Sequence, residues 1–336
     1  MHWEYAIDAG SEMLRMTTKA EIYREPAFAA KSKARGVFAW GERALSIYGR
    51  EPEGVTVIKC VQGGVITDTS LMAKRIHALT GDVEKRVIKR PGVLLAAPAT
   101  MRADVRDEFE RRVIDEGIPA VGMTPSDVAC ALGANLPIME PEACLIADVG
   151  AEKISASIIS MGRVLKSDYL PFGMRRADER IISGLRTGFG YAIGPKTAKE
   201  IKHELGALSG MSGDVKTQKA VFDYSCMLPR MREIPASAVS GCVAEVAQAL
   251  TEMLSRLLLF MPEEISADLI KNGVTLAGGG AQLFGLDLHL KKALNLPVKV
   301  AENPENCVIN GLSIILKDQK AYQCLIEDEM EESRRP

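Results

Sequence analysis

Along this chain, segments in which hydrophobic and polar residues alternate, as in strands, are followed by segments in which hydrophobic residues recur at helical spacing. In the first half, an apolar run at Val93–Ala97 stops at Pro98 and predicts a buried parallel strand. The segment Ala103–Glu116 then carries apolar residues on one helical face. Three earlier stretches predict a strand meander: Trp3–Ile7, Arg15–Ile22 and Pro26–Lys31.

The second half repeats this order of strands followed by helices. Its predicted strands are Leu145–Val149, Ser155–Met161 and Arg163–Tyr169. Its predicted helices are Asp178–Gly188, Lys196–Leu205 and Ser237–Met261, the last ended by Pro262. Because strands and helices alternate and several strands are wholly apolar, the pattern predicts an α/β fold. The repeated order indicates a duplicated domain.

Three predicted strands end in turns with the composition of a ligand site. Tyr5–Gly10 and Leu145–Gly150 each read as an apolar strand followed by Asp, one small or apolar residue, and Gly. A third strand, Val274–Ala277, runs into three consecutive glycines. Glycine tolerates positive φ and lets the backbone approach a flat ligand or a phosphate closely.

The position of these turns predicts where they meet. Ligands of α/β sheets bind beyond the carboxyl ends of the strands. Asp8, Asp148 and Gly278 all lie at such ends and are predicted to converge on one cleft between two domains. Each domain would supply one phosphate-facing loop, and the glycine turn would hold a nucleoside. Taken singly, each Asp is also typical of an ordinary turn or helix cap.

The composition indicates a globular protein and gives no sign of a nucleic-acid-binding or metal-binding one. With 336 residues, 47% hydrophobic and 26% charged, the chain is typical of a globular protein with two domains. A net charge of −2 gives no electrostatic basis for nucleic-acid binding. The seven cysteines are scattered without metal-ligand spacing, which predicts free thiols in a reducing cytoplasm. The four histidines form no constellation that predicts a metal site or a catalytic triad.

Given these motifs, the chain resembles the actin-like ATPases, most closely the bacterial rod-shape-determining (MreB-type) actins. The resemblance runs from about Tyr5 to Lys317, and its motifs occur in order. Besides the two Asp-x-Gly loops, the similar segments are Pro171–Gly173 with Asp178-Glu179, Ile193–Lys202, Leu276–Leu286 and Val298–Pro304. Each segment alone is common, whereas the ordered set is specific.

The resemblance implies an actin-like fold, which is a duplicated ribonuclease H-like α/β fold of two domains with a central nucleotide cleft. Domain I would span 1–144, with a small subdomain near 32–75. Domain II would span 145–336, with a small subdomain near 180–245 and the adenosine motif at 276–286.

The resemblance also implies a site for ATP or ADP with Mg²⁺. Gly10, Ser11 and Gly150 would approach the phosphates, and Asp8 and Asp148 would organise Mg²⁺ through water. The residues implied on the ribose side are Lys199, Glu200 and Lys202. Those implied at the adenine are Gly278, Gly279, Gly280 and Ala281.

Both phosphate loops depart from the family pattern. The family's first loop reads Asp-x-Gly-Thr-x-Asn-Thr, but here Glu12 adds a negative charge and Met13 replaces the asparagine. The second loop, usually Asp-x-Gly-Gly-Gly-Thr-Thr, has Ala151 and Glu152 in place of glycines and lacks both hydroxyls. The family's catalytic glutamate is matched only by Asp127, a weak candidate. These departures predict that ATP hydrolysis is weak or absent.

Three functions remain open at this point. The first is a cell-shape type of cytoskeletal or scaffold protein that binds ATP and forms head-to-tail homopolymers, with cell-shape or related actin-like proteins as further partners. The second is a non-polymerising pseudo-ATPase adaptor of the same fold. The third, a small-molecule kinase of the superfamily, is disfavoured because no insertion supplies an acceptor pocket. We favour the first, with hydrolysis weak or lost.

The expected location is the cytoplasm, with any membrane association mediated by partners. Met1–Glu4 is too short for the amphipathic helix that many rod-shape actins use. The segment Thr80–Pro91 is charged where the family often exposes apolar residues. Direct membrane insertion is therefore not supported by the sequence.

Overall fold

The computed structural model describes residues 3–83, 91–98, 101–208 and 215–326. They fall into two compact units. Unit 1 comprises the described parts of Met1–Pro141, Met161–Arg163 and Asn306–Pro336, and unit 2 comprises those of Glu142–Ser160 and Val164–Glu305. Most of the charged segment Thr80–Pro91 lies outside the described residues, as do Met1 and His2.

The strands, in chain order, are β1 (Trp3–Ala9), β2 (Met13–Thr17), β3 (Ile22–Pro26), β4 (Phe28–Ser32), β5 (Gly36–Trp40), β6 (Val55–Lys59), β7 (Val61–Gln62), β8 (Val65–Ile66), β9 (Gly92–Ala97), β10 (Val121–Pro125), β11 (Cys144–Val149), β12 (Ile154–Ser160), β13 (Arg163–Leu170), β14 (Tyr191–Ala192), β15 (Lys216–Asp223), β16 (Leu228–Pro235), β17 (Val274–Ala277) and β18 (Val298–Val300). The helices are α1 (Gly41–Leu45), α2 (Thr69–Val83), α3 (Ala103–Asp115), α4 (Ser126–Gly133), α5 (Arg175–Phe189), α6 (Pro195–Leu205), α7 (Ser237–Leu258), α8 (Glu263–Asn272), α9 (Leu286–Leu294) and α10 (Cys307–Lys317).

Each unit is built on a five-stranded sheet with the same plan. In unit 1 the order is β10-β9-β1-β2-β3, and in unit 2 it is β13-β12-β11-β17-β18. The central strand of each sheet, β1 or β11, pairs antiparallel with the next strand in the chain. On its other side it pairs parallel with a strand that comes much later. The predicted duplication of an α/β domain is therefore confirmed.

The sheet of unit 1 encloses a core of apolar side chains from strands and helices. Tyr5 and Ile7 of β1 pack with Leu95 of β9 and with Phe109 of α3, all at most 2% exposed. The strand predicted at Arg15–Ile22 is two strands, β2 and β3. They are separated by a turn in which the Thr18 N–H donates to the Glu21 carbonyl at 2.9 Å. The polar sequence between the strands favours this turn over a continuous strand.

Unit 2 is organised around the long helix α7. Its apolar face, which includes Val243, Leu250 and Leu254, packs with sheet residues such as Leu145 and Leu276. A second sheet of unit 2 has the order β14-β15-β16. The β15–β16 hairpin was not predicted, because its strands mix polar and apolar residues without the regular alternation in sequence that predicts a half-buried strand.

The C-terminal helix α10 packs in unit 1, although the sequence placed it in domain II. It lies against α4 so closely that a Cβ on Gly311 would be 1.8 Å from the Ala129 carbonyl oxygen. Beyond α10, the Gln319 side chain donates to the Trp3 carbonyl at 2.6 Å and accepts from the Trp3 N–H at 3.1 Å. Gln319 therefore lies beside β1, the first strand of the unit 1 sheet.

Candidate functional site

The two Asp-x-Gly turns have the same construction. The Gly10 N–H donates to the Met13 carbonyl at 3.2 Å, and the Gly150 N–H donates to the Lys153 carbonyl at 3.0 Å. A Cβ on either glycine would lie within 2.8 Å of that carbonyl oxygen, at 2.8 Å for Gly10 and 2.6 Å for Gly150. Both positions therefore require glycine, and each turn closes a hairpin at the end of the central strand.

In unit 1, the aspartate of the turn is held by an arginine from the opposite strand. Asp8 and Arg15 are cross-strand partners of β1 and β2. The Arg15 Nη1 donates to Asp8 Oδ2 at 3.3 Å, and the two side chains are only 15% and 16% exposed. A largely buried carboxylate is stabilised by such a pairing. The negative charge of Asp8 is therefore paired with the Arg15 guanidinium.

The acidic residue of the first loop is also neutralised within unit 1. Lys59, at the end of β6, donates from Nζ to Glu12 Oε1 at 3.2 Å. The Lys59 side chain is 8% exposed, and its ammonium lies 5.2 Å from the centre of the Phe28 ring. The negative charge that Glu12 adds to the loop is thus paired. Ser11 beside it is half-buried.

In unit 2, the second loop is bound to the start of helix α5. The Met174 N–H donates to the Gly150 carbonyl at 3.0 Å, and the Arg175 N–H donates to the Ala151 carbonyl at 2.8 Å. The Arg175 Nε also lies 2.9 Å from Glu152 Oε1 in an ion pair. Burial lowers the pKa of the Arg175 guanidinium. The carbonyls of Gly150 and Ala151 therefore accept hydrogen bonds from the start of α5, and the Glu152 carboxylate is paired with Arg175.

The glycine turn lies directly beside Asp148. Strands β11 and β17 are parallel neighbours with Asp148 opposite Ala277, so both strand ends lie together. A Cβ on Gly278, where φ is 79°, would be 2.3 Å from Asp148 Oδ1. A Cβ on Gly280 would be 2.5 Å from the Val149 side chain. Within unit 2, the structure thus brings Asp148 together with the glycine turn.

The middle of the glycine turn is open. No atom lies within 4 Å of a Cβ placed on Gly279, which is exposed, whereas Ala281 is 2% exposed. An exposed glycine backbone between two tightly packed glycines can accept a flat ring against it.

The three predicted ribose-side residues differ in environment. Lys199 and Glu200 are exposed on α6, where Glu200 accepts from Lys219 Nζ at 3.3 Å. Lys202 is 8% exposed, and its Nζ lies 2.8 Å from Asp178 Oδ1 and donates to the Met174 carbonyl at 3.1 Å. Burial lowers the pKa of Lys202, and the Asp178 carboxylate opposes that shift.

The candidate base and the candidate metal ligands lie on three separate elements: Asp127 on α4, Asp8 on β1 and Asp148 on β11. Asp127 is 5% exposed and lies in the first turn of α4. No group of three or more His, Cys, Asp or Glu residues suited to a metal ion occurs in the described part of the chain. Asp8 belongs to unit 1 and Asp148 to unit 2, and their convergence on one cleft stays a prediction.

Three basic residues next to the loops were missed by sequence reasoning. Arg15 could have been found, because a hairpin closed at Gly10 places Arg15 opposite Asp8. Lys59 is 47 residues from Glu12, and Arg175 also lies far along the chain from Glu152. Neither of these two pairings leaves a local signal in the sequence.

A duplicated five-stranded sheet with one Asp-x-Gly hairpin in each copy is the arrangement of an actin-like protein. Consistent with this class, the family described as MreB/Mbl protein matches residues 2–324. The chain belongs to the MreB/Mbl family.

Individual relatives are similar over almost their whole length. The cell shape-determining protein Mbl of Bacillus subtilis (strain 168) is 28% identical over 319 residues, covering 93% of this chain and 95% of that protein. The cell shape-determining protein MreB of Escherichia coli (strain K12) is 29% identical over 324 residues, covering 92% of this chain and 91% of that protein.

Solved structures give the same result for the fold. MreB5 of Spiroplasma citri bound to ADP has a TM-score of 0.89 at 25% identity, covering 95% of this chain and 97% of that chain. The AMPPNP-bound structure of that protein has a TM-score of 0.88 at 26% identity, with the same coverage. The MamK double helical filament, at 13% identity and a TM-score of 0.78, is similar in fold.

None of the helices in the described parts of the chain has the length and apolar character needed to cross a membrane.

Proposed function

We propose that this protein is a rod-shape-determining type of actin-like scaffold that binds adenine nucleotide, self-associates head to tail and hydrolyses ATP weakly or not at all. Membership of the MreB/Mbl family supports the cytoskeletal role. The relatives named cell shape-determining proteins extend over more than nine-tenths of the chain, at 93% and 92% coverage. The proposal places the protein in the cytoplasm.

Nucleotide binding is supported by the glycine turn and by the similar structures. MreB5 of Spiroplasma citri binds ADP and AMPPNP. In the present chain, Gly278 and Gly280 are packed against Asp148 and Val149, while Gly279 is open. We assign the adenosine to this turn and the phosphates to the hairpins at Gly10 and Gly150.

The observation that carries the proposal of weak hydrolysis is the pairing of the loop carboxylates. Glu12 is bound by Lys59, and Glu152 is bound by Arg175. In the second loop, Glu152 stands where the family has a glycine, and Lys153 and Ile154 replace the two hydroxyls that would otherwise stabilise transferred phosphate. Asp127, buried in α4, is poorly placed to activate water.

Self-association is supported by the principle that heterologous contacts continue into filaments when the rotation between subunits does not close. Such contacts use outer surfaces, so altered phosphate loops need not abolish them. A protein that stayed monomeric at all concentrations would instead be an adaptor of the same fold.

Two measurements on the purified chain test the proposal. Calorimetric titration with ADP and ATP is expected to give binding with one nucleotide per protomer. Phosphate release from ATP is expected to stay near the uncatalysed background, because loss of such groups commonly costs about a hundredfold or more in rate. Steady ATP turnover that Asp148→Ala abolishes would refute the proposal of weak hydrolysis, and absence of nucleotide binding would refute the proposed ligand.

A further inference from the structure

Arg15 lies beside both Asp8 and the first Asp-x-Gly turn. Its Nη1 lies 3.3 Å from Asp8 Oδ2. The same nitrogen is 3.9 Å from the Cβ position of Gly10, the loop residue expected to approach the phosphates. The guanidinium therefore lies against both the carboxylate and the phosphate-facing turn of unit 1.

The guanidinium also has donor capacity left over. Arg15 Nε is buried and has no hydrogen-bond partner among the described residues. A buried donor without a partner destabilises the structure until something accepts from it. A phosphate oxygen is a suitable acceptor, because the planar guanidinium fork matches phosphate geometry.

The surroundings of Asp8 are poorly suited to Mg²⁺. A hydrated Mg²⁺ needs carboxylate oxygens that are free to bind its water shell. Asp8 is already paired with a permanent cation, and its side chain is 16% exposed. A second cation at Asp8 would repel the guanidinium at close range in a partly buried environment.

We propose that Arg15 replaces Mg²⁺ as the counter-cation of the phosphates, so that this protein binds nucleotide without a divalent metal. The inference rests on the proposed nucleotide binding. Unit 2 has a similar feature in its own loop, where Arg175 lies 2.9 Å from Glu152. Each of the two phosphate loops thus has an arginine guanidinium beside it, Arg15 at the first loop and Arg175 at the second.

The test is calorimetric titration of the full chain with ADP, once in excess MgCl₂ and once in EDTA. For the wild-type protein, the two dissociation constants should agree within about threefold, well under the tenfold that 1.4 kcal/mol represents. For Arg15→Leu, ADP affinity in EDTA should fall about ten- to hundredfold, the range for losing one charge-assisted hydrogen bond. MgCl₂ should restore part of that affinity, because Asp8 is then free to organise the metal.

Three controls separate the role of Arg15 from its effect on folding. Adenosine has no phosphate, so Arg15→Leu should leave adenosine affinity unchanged. Arg15→Lys keeps the charge and should retain most of the metal-independent binding. Arg112→Leu removes an arginine that is paired with Glu108 at 3.7 Å and is 50% exposed on α3, and it should change neither titration.

Each contrary result identifies which proposal is wrong. Wild-type ADP affinity that falls tenfold or more in EDTA would overturn the inference while leaving nucleotide binding intact. Arg15→Leu that binds like wild type in EDTA would show that the guanidinium does not contact phosphate. A wild-type chain that binds no nucleotide in either buffer would refute the proposed function together with this inference.

Discussion

At the scale of single residues, charge pairing distinguishes the loops of this protein. Sequence reasoning identified Asp8, Glu12 and Glu152 from the loop motifs. It did not identify the cations that neutralise them, because two of the three cations come from distant segments. The conformational requirement for glycine at the turns was predictable, since it depends on a few neighbouring residues.

The buried ion pair of Lys202 and Asp178 should be costly to break by removing one partner. Asp178→Asn leaves a buried ammonium without its carboxylate, and we expect the free energy of unfolding to fall by about 3 kcal/mol or more. The loss should shrink as pH rises, because neutral Lys202 no longer needs a counter-ion. Chemical denaturation at two pH values measures both effects.

The control for this variant is Glu233→Gln, which breaks the pair with Lys216. The side chains of Lys216 and Glu233 are 52% and 57% exposed, so the free energy of unfolding should fall by less than about 1 kcal/mol. Equal losses for the two variants would contradict the importance assigned to burial.

The buried thiol of Cys60 should be unreactive in the folded protein. Burial raises the pKa of Cys60 from 9.0 to about 12, and only the thiolate reacts with alkylating agents. At pH 8, mass spectrometry after iodoacetamide treatment should show modification at the exposed Cys226 and Cys324 but not at Cys60. Rapid labelling of Cys60 without denaturant would contradict this.

The raised pKa of Cys60 also makes the stability of the folded protein depend on pH. The unfolded chain releases the Cys60 proton near pH 9, whereas the folded protein keeps it until about pH 12. Cys60 therefore makes the free energy of unfolding fall as pH rises through this interval. Cys60→Ala should reduce the slope measured between pH 9 and 10.5, an interval chosen to lie within that window.

At the scale of elements, most helices and the core strands followed from hydrophobic periodicity. The helix predicted at Ser237–Met261 is α7, which ends at Leu258. The β15–β16 hairpin was missed because its exposed strands depend on pairing with each other. Contacts between elements, such as that of α4 with α10, follow from tertiary packing and have no periodic signal.

The α4–α10 contact should be intolerant of a single added methyl group. A Cβ on Gly311 would lie 1.8 Å from the Ala129 carbonyl oxygen, and backbone cannot move aside as a flexible side chain can. Gly311→Ala should therefore lower the free energy of unfolding by about 3 kcal/mol. Thermal and urea denaturation would measure the change.

Gly184 provides the matched control for Gly311. It lies in helix α5, and no atom is within 4 Å of its Cβ position. Gly184→Ala should raise the free energy of unfolding by about 0.5–1 kcal/mol, because alanine is the better helix former. A neutral Gly311→Ala variant would mean that α10 shifts to make room.

At the scale of the whole molecule, three exposed apolar residues of unit 2, Phe260, Leu259 and Leu165, bear on self-association. Phe260 is 98% exposed and has a φ of 58°, a backbone conformation that costs free energy for a residue of this size. Leu259 beside it is 53% exposed, and its carbonyl accepts from Lys166 Nζ at 2.8 Å. Leu165, next to Lys166 on the edge strand β13, is 48% exposed.

A second copy of the chain is the partner that we expect at these three residues. Wild-type protein should sediment as assemblies at rising concentration with no nucleotide, with ADP and with ATP. Phe260→Ser should raise the concentration needed by about tenfold or more, the effect of a buried aromatic anchor, without lowering the melting temperature. Ile114→Ser, at a 45% exposed position of α3 in unit 1, is the control. A wild-type monomer under all three conditions would exclude the filament.

The sequence by itself determined the duplicated α/β fold, the family and the three glycine-bearing turns. These depend on periodicity and on backbone conformations that neighbouring residues fix locally. Only the tertiary structure decided that the loop carboxylates are paired, that Lys202 is buried with Asp178 and that α10 packs in unit 1. Those contacts join residues distant in the chain, such as Lys59 and Glu12 at a separation of 47 residues. Their free energy depends on burial and geometry that exist only after the chain has folded.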